Sequence, residues 1–256
     1  MILAFDVGNS ETTIGLCDGT AVRMRWRVTT DGGRTPDEVH LLLRSLLATS
    51  DVDRSTVLGS VIGSVVPSVN APLAEACAKL TGRAPLFVDG RSKLPISLDV
   101  DEPLTVGADR IINTLAASRL HRRDCIVVDL GTATTFDCIT REGVFLGGVI
   151  APGVQVSAES LFRKAAKLSA TELVPPSHVI GRRTDECIRA GVVLGAAESI
   201  DGLVRRIKAA WPRPETPLVI VTGGLAATFK PLCSELDLIE TDLTLQGLAM
   251  AFELLT

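Results

Sequence analysis

The apolar residues of this chain fall in short, strand-like runs broken by Gly, Asp, Arg or Pro, alternating with stretches at helical spacing. The first runs predict strands over 2–6, 11–18 and 21–29, a meander with tight turns such as Asp18-Gly19. Thr35-Pro36-Asp37-Glu38 reads as a capping box with Pro at the first helical position, and the helical spacing continues to about Leu47. Thr56 to Val66 is β-branched and apolar, a central strand stopped by Pro67; Ala71 to Leu80 reads as a helix and Pro85 to Val88 as a short strand. Asp89 to Thr105, rich in Gly, Pro and charge, reads as an irregular connection, and Gly107 to Leu120 as an amphipathic helix. The order then repeats: strands near 124–130, 133–140 and 143–150, a helix opened by Pro152-Gly153 and a longer one over Thr184 to Lys208. A strand over Leu218 to Val221 runs into Thr222-Gly223-Gly224, and a helix from about Thr244 closes the chain.

Meander, helix, strand, helix, strand, twice over, predicts a duplicated α/β architecture with two lobes, residues 1–115 and 116–256. A short phrase marks the same place in each half. Phe5-Asp6-Val7-Gly8-Asn9-Ser10 follows the apolar run Ile2-Leu3-Ala4, and Val128-Asp129-Leu130-Gly131-Thr132-Ala133-Thr134-Thr135 follows Ile126-Val127. Each is a strand ending in Asp, then Gly, then small hydroxyl or amide residues, then a second apolar run. Such a β-hairpin turn offers backbone N–H groups and hydroxyls to phosphate oxygens, with a carboxylate beside them for a cation. Two copies imply a phosphate-binding cleft between two similar lobes. A single Asp-x-Gly-Asn is also simply a good turn sequence, and the repetition is what favours the functional reading.

Composition narrows the choices. At 46% hydrophobic residues and a mean hydropathy of +0.33 the chain is apolar, yet no run approaches the ~18 residues that span a bilayer. A strand begins at residue 2 with no leader-like segment before it, so the expectation is a cytoplasmic protein with no membrane partner. A net charge of −4, no Tyr and only 4% aromatic residues argue against a nucleic-acid partner. The six cysteines are scattered, with no C-x-x-C spacing and three histidines to join them, and read as small buried hydrophobes rather than a zinc site.

There is no G-x-x-x-x-G-K-[ST] and no G-x-G-x-x-G after a strand, so neither a P-loop nor a dinucleotide fold is indicated. Val106-Gly107-Ala108-Asp109-Arg110 stands instead at a helix start. There the backbone favours anions, Arg110 can grip a carboxylate with its fork, and Asp109 can accept a proton from a substrate hydroxyl. A helix-dipole Asp beside a surface ion pair is the plain alternative. Thr222-Gly223-Gly224 leaves room for a flat group such as an adenine, or is only a tight strand-to-helix turn.

Together these residues resemble a known family over the whole length. Asp6-Val7-Gly8-Asn9-Ser10, Gly63-Ser64-Val65-Val66-Pro67, Gly107-Ala108-Asp109-Arg110 and Asp129-Leu130-Gly131-Thr132-Ala133-Thr134-Thr135 come first. Gly147-Gly148-Val149-Ile150-Ala151-Pro152-Gly153, Ala165-Ala166-Lys167-Leu168, Thr222-Gly223-Gly224 and Leu243-Thr244-Leu245-Gln246-Gly247-Leu248 follow in the same order. The chain resembles the type III pantothenate kinases of the acetate and sugar kinase, Hsp70 and actin superfamily. The resemblance implies a duplicated ribonuclease H-like (actin-like ATPase) fold and ATP-dependent phosphorylation of pantothenate, the first step of coenzyme A biosynthesis. It implies ATP binding by Asp6, Val7, Gly8, Asn9, Ser10, Glu11, Thr12 and Thr13, with Thr132 on the phosphates. Gly107, Ala108, Asp109, Arg110 and Thr184 would hold pantothenate, with Asp109 as the base. Asp129 would bind a monovalent cation, K⁺ or NH₄⁺, and Mg²⁺ would accompany ATP. A homodimer is implied, with Gly147 to Gly153 near its interface.

Three departures stand out: Ser10 for the usual Thr, Val100 where the family carries a substrate-contacting Tyr, and Gly181-Arg182-Arg183-Thr184 for Gly-Lys-Asn-Thr. Two other readings remain open from the residues: a phosphotransferase of the same superfamily acting on a sugar or acetate-like acid, and a nucleotide-binding regulator without catalysis.

Overall fold

The computed structural model describes residues 1–50 and 52–256. It divides into two compact units, the first made of Met1–Leu120, Gly143–Phe145 and Asp242–Thr256, the second of His121–Glu142 and Leu146–Thr241.

In unit 1 the first half folds as β1 (Ile2–Val7), β2 (Glu11–Asp18), β3 (Ala21–Thr29), α1 (Pro36–Ala48), β4 (Gly59–Ser64), α2 (Pro67–Thr81) and β5 (Leu86–Val88). Then come β6 (Ser97–Leu98) and α3 (Ala108–His121), whose last residue begins unit 2. The sheet order is β3-β2-β1-β4-β5, with β1 antiparallel to β2 and parallel to β4. Alternation along β1 decides which side chains go where. Leu3, Phe5 and Val7 join a core with residues of α1 and α2, whereas Ile2 and Ala4 join one with Ile111, Ile112 and Leu115 of α3. Asp6 has the parity of Ile2 and Ala4, so it belongs to the face covered by α3.

Unit 2 repeats the scheme. Its strands are β7 (Cys125–Leu130), β8 (Ala133–Ile139), the greater part of β9 (Val144–Pro152), β10 (Leu218–Thr222) and β11 (Leu238–Ile239), in the order β11-β10-β7-β8-β9. Its helices are α4 (Val154–Lys164), α5 (Thr184–Arg189), α6 (Gly195–Ala209) and α7 (Ala226–Phe229). β7 is again antiparallel to the following strand and parallel to its other neighbour, β10. Ile126, Val128 and Leu130 bury against Val193, Ala197, Ile200 and Val204, and Asp129 takes the opposite face, as Asp6 does.

The last helix, α8 (Leu243–Leu255), corrects the expected split at 115/116. It buries Leu245, Leu248, Ala249 and Ala251 in the same core as Ala4, Val61 and Ile112, which returns it to unit 1. Gly247 makes this possible: a Cβ there would stand 2.6 Å from both the Ile112 side chain and its carbonyl oxygen. The boundary itself falls at the end of α3 rather than inside it.

Local differences have local causes. Pro67, expected to end a strand, is the first residue of α2, where its fixed φ and missing N–H suit a helix start. The strand before it is shorter because Arg54–Thr56 forms a 3₁₀ turn and Ser64 Oγ takes the Val66 N–H at 3.1 Å. The irregular 89–105 connection contains β6 and a further 3₁₀ turn, Pro103–Thr105. The single long helix over 184–208 is α5 and α6 joined by a π-helical turn, Ala190–Leu194. The capping box is as read, with Glu38 N donating to Thr35 Oγ1 and Thr35 N to Glu38 Oε2. No helix among the described residues is long and apolar enough to cross a membrane.

Candidate functional site

Unit 1 carries the first of the two Asp-x-Gly turns and the Gly107–Arg110 motif. At the end of β1, Val7 pairs with Thr12 and Asp6 with Thr13, and the turn between them is closed by Gly8 N donating to Glu11 O at 3.0 Å. A Cβ on Gly8 would press on that same carbonyl at 3.0 Å, so a small residue is required. Asn9, Ser10 and Glu11 are exposed at the tip. Thr30, which sequence reasoning did not single out, braces the turn: its hydroxyl donates to Gly8 O at 2.7 Å, and its N–H donates to Ser10 O at 3.0 Å. Thr12 is buried, with its hydroxyl 2.8 Å from that of Thr30, so it shapes the turn from beneath. Val7 is likewise buried and offers its carbonyl to Val65 N.

The second element of unit 1 is the opening of α3. The 3₁₀ turn at Pro103–Thr105 delivers Val106 and Gly107 to the helix start, and Ile111 N donates back to Gly107 O at 3.2 Å. Asp109 lies half-buried in the first turn and its Oδ1 accepts the Arg110 N–H at 2.9 Å. Burial pushes the Asp109 carboxyl above its usual value, against the opposing pull of the Arg110 N–H and guanidinium. A carboxylate raised in this way is a better proton acceptor, and such shifts mark functional sites more often than surface ones. Gly107 is there because of Asp109: a Cβ on it would run into Asp109 Oδ1. Gly107→Ala is therefore expected to displace the carboxylate and lower turnover by about 10- to 100-fold with the melting temperature little changed, measured by steady-state kinetics beside thermal melts.

Arg110 is held over an aromatic ring. Its Cζ lies 4.9 Å from the ring centroid of Phe145, in the part of β9 that belongs to unit 1. Val100 is half-buried in the stretch between β6 and the 3₁₀ turn, and Asp99 beside it donates its N–H to Phe145 O at 2.9 Å.

Unit 2 gathers a different set. Asp129 at the end of β7 lies between Thr135 of β8 and Thr222 of β10, the counterparts of Thr13 and Gly63 around Asp6. The turn after it is closed by Gly131 N donating to Ala133 O at 3.0 Å, leaving Gly131 and Thr132 exposed. α4 starts directly against this turn: Gly153 N donates to Thr132 O at 3.2 Å, and a Cβ on Gly153 would collide with that oxygen. Backbone N–H groups at a helix start therefore accompany Thr132, a setting that suits phosphate. Gly223, at φ +90°, approaches just as closely from β10. A Cβ there would stand 2.6 Å from Asp129 Oδ1 and 2.7 Å from both the Leu130 N and O atoms. The Asp129 carboxylate and the Leu130 backbone thus both pack closely against Gly223. Thr184, exposed, opens α5 in this unit, while Asp109 and Arg110 belong to unit 1. Among the described residues no group of three or more His, Cys, Asp or Glu is assembled for a metal ion. The cysteines are unbridged, and burial pushes the thiols of Cys17, Cys77, Cys125 and Cys233 up to about 12.

Residues 2–206 match the family described as Type III pantothenate kinase. A type III pantothenate kinase of Desulfatibacillum aliphaticivorans is 39% identical over 254 residues, covering 99% of this chain and 98% of the relative. One from Syntrophotalea carbinolica is 41% identical, with 98% of each covered. Among solved structures, the activator of the 2-hydroxyisocaproyl-CoA dehydratase from Clostridium difficile with bound ADPNP superposes at a TM-score of 0.57. It covers 98% of this chain and 94% of its own at 12% identity, which speaks for the fold alone. The fold is the duplicated ribonuclease H-like one of the actin-like ATPases, and by full-length similarity the chain belongs to the type III pantothenate kinase family.

Proposed function

We propose that the protein transfers the γ-phosphoryl group of ATP to the primary hydroxyl of pantothenate, giving phosphopantothenate and ADP at the entry to coenzyme A biosynthesis. The observation that carries the reading is the Asp109-Arg110 pair at the start of α3 in a chain of this family. Pantothenate presents a carboxylate and an alcohol. Arg110 has the fork that grips the first, and Asp109, its basicity raised by burial, accepts the proton of the second. The hydroxyl oxygen bonds to the γ-phosphorus as the bond to the β–γ bridging oxygen breaks, the proton passes to Asp109 and ADP departs. Such a transfer asks the protein for positioning and charge neutralisation more than for covalent chemistry. In unit 1 the exposed Asn9 and Ser10, and in unit 2 Thr132 beside the α4 start, each offer hydrogen-bond donors of the kind that suits phosphate oxygens. Asp129 would hold K⁺ or NH₄⁺, which supplies positive charge when bound; Mg²⁺ would arrive with ATP.

The same reading makes the protein a cytoplasmic homodimer. Ile150 on β9 and Val156 and Leu161 on α4, at 65%, 40% and 37% exposure, are apolar side chains that such a partner would cover. The deciding experiment is ATP turnover with and without pantothenate, in K⁺ and in Na⁺ buffer. Pantothenate-dependent turnover that requires K⁺ is expected. Turnover indifferent to pantothenate, or nucleotide binding without turnover, would overturn the reading.

A further inference from the structure

We propose that Phe145 is a positioning residue for substrate recognition: its buried ring fixes the Arg110 guanidinium in the orientation that receives the substrate carboxylate. The inference rests on the reading of Arg110 as the carboxylate clamp.

The geometry is specific. Phe145 is 1% exposed, so its ring is fixed in place, whereas Arg110 is half-buried and ends on a long, rotatable stem. The 4.9 Å separation from Cζ to ring centroid places the guanidinium over the ring rather than beside its edge, where the quadrupole attracts a cation. A ring offers no hydrogen-bond acceptor in the plane of the guanidinium, so it orients the group through the cation–π attraction without competing for the N–H groups that a carboxylate takes. Lys would not serve here, having neither the flat face nor the fork.

Both partners are held from behind. Leu98 of β6 pairs with Phe145, and Asp99 N donates to Phe145 O at 2.9 Å. Gly143, two residues before the ring, adopts φ +82°, and a Cβ there would stand 3.3 Å from Ser118 Oγ of α3. The strand start is thereby seated against the helix that bears Arg110. On that helix the Arg110 carbonyl accepts the Thr114 hydroxyl at 2.8 Å, and the Thr114 carbonyl accepts that of Ser118 at 2.8 Å. Ring and guanidinium are thus referenced to one rigid pair of elements within unit 1.

The test replaces Phe145 by Leu, by Tyr, and by mono-, di- and trifluorinated phenylalanine, which drain the ring's negative face while nearly keeping its shape. Arg110→Ala is measured beside them. The KM for pantothenate should rise about 3- to 30-fold in Phe145→Leu and stepwise along the fluorinated series, with kcat and the KM for ATP unchanged. Phe145→Tyr should stay near wild type, and the pantothenate analogue with an alcohol in place of the carboxylate should be insensitive to the whole series. If Arg110→Ala raises the pantothenate KM while the fluorinated series leaves it flat, Phe145 is only packing and the proposal is overturned. If Arg110→Ala leaves the pantothenate KM unchanged, the clamp reading fails and takes the proposal with it.

Discussion

Asp109→Asn is expected to abolish useful turnover, lowering kcat by about 10²- to 10⁴-fold, the range general-base removal commonly costs. ATP affinity, measured by calorimetry, should be retained, because the turns at 8–11 and 131–133, each proposed to contact phosphate, are built without this side chain. The substitution keeps the shape of the site. Asparagine Oδ1 can still accept the Arg110 N–H that Asp109 Oδ1 accepts at 2.9 Å, so what goes is the proton-accepting capacity and the negative charge beside Arg110.

Two further readouts separate loss of the base from loss of the fold. Burial raises the folded-state pKa of Asp109 above the model-peptide value of 3.8. The folded protein therefore holds this proton more tightly than the unfolded chain. Stability falls as pH rises from the unfolded value through the folded one and stays lowered above it. Asp109→Asn removes that burden, so at neutral pH the variant should melt no lower than the parent. For activity the sign is the reverse: the base works only when deprotonated, so wild-type kcat/KM should fall on the acid side at a pH above the ordinary Asp range. That limb should vanish from the residual activity of the variant. Wild-type-like turnover in Asp109→Asn would refute the base assignment.

Much of this was legible along the chain because it is written in local pattern. The Asp-x-Gly phrase after an apolar run placed both hairpins, and the Thr35–Glu38 capping box placed α1, since each depends on residues within one turn of each other. What escaped depends on partners distant in sequence. Thr30 braces Gly8 from 22 residues away, and Phe145 reaches Arg110 from the opposite end of a strand pairing that joins β6 to β9. Val-Thr-Thr at 28–30 and Gly-Val-Phe at 143–145 look like any strand ends until the sheet is closed. α8 was legible as a helix, but not as a member of unit 1, because an apolar stripe does not say which sheet it covers. Thr12 shows the limit from the other side: a motif match gives its chain position, while strand parity turns its hydroxyl inward to Thr30.

Gly223→Ala is expected to be as damaging as loss of the base, for a different reason. The residue adopts φ +90°, where L side chains are strained, and the added Cβ would stand 2.6 Å from Asp129 Oδ1 and 2.7 Å from the Leu130 N and O atoms. Backbone cannot rotate out of the way as a side-chain tip can, so the end of β7 or the start of the β10 loop must shift. The expected cost is about 1–3 kcal/mol of stability, read by urea unfolding, together with loss of pantothenate-dependent turnover. Asp129→Asn divides that result into its parts. It leaves Gly223 seated and the backbone undisturbed, and removes only the negative charge that would hold a monovalent cation. Its melting temperature should stay near that of the parent, while turnover drops by at least about 100-fold and no longer responds when K⁺ is titrated into Na⁺ buffer. Retained K⁺ activation in Asp129→Asn would move the cation elsewhere. Retained turnover in Gly223→Ala would mean that the close approach of this loop to Asp129 is packing alone.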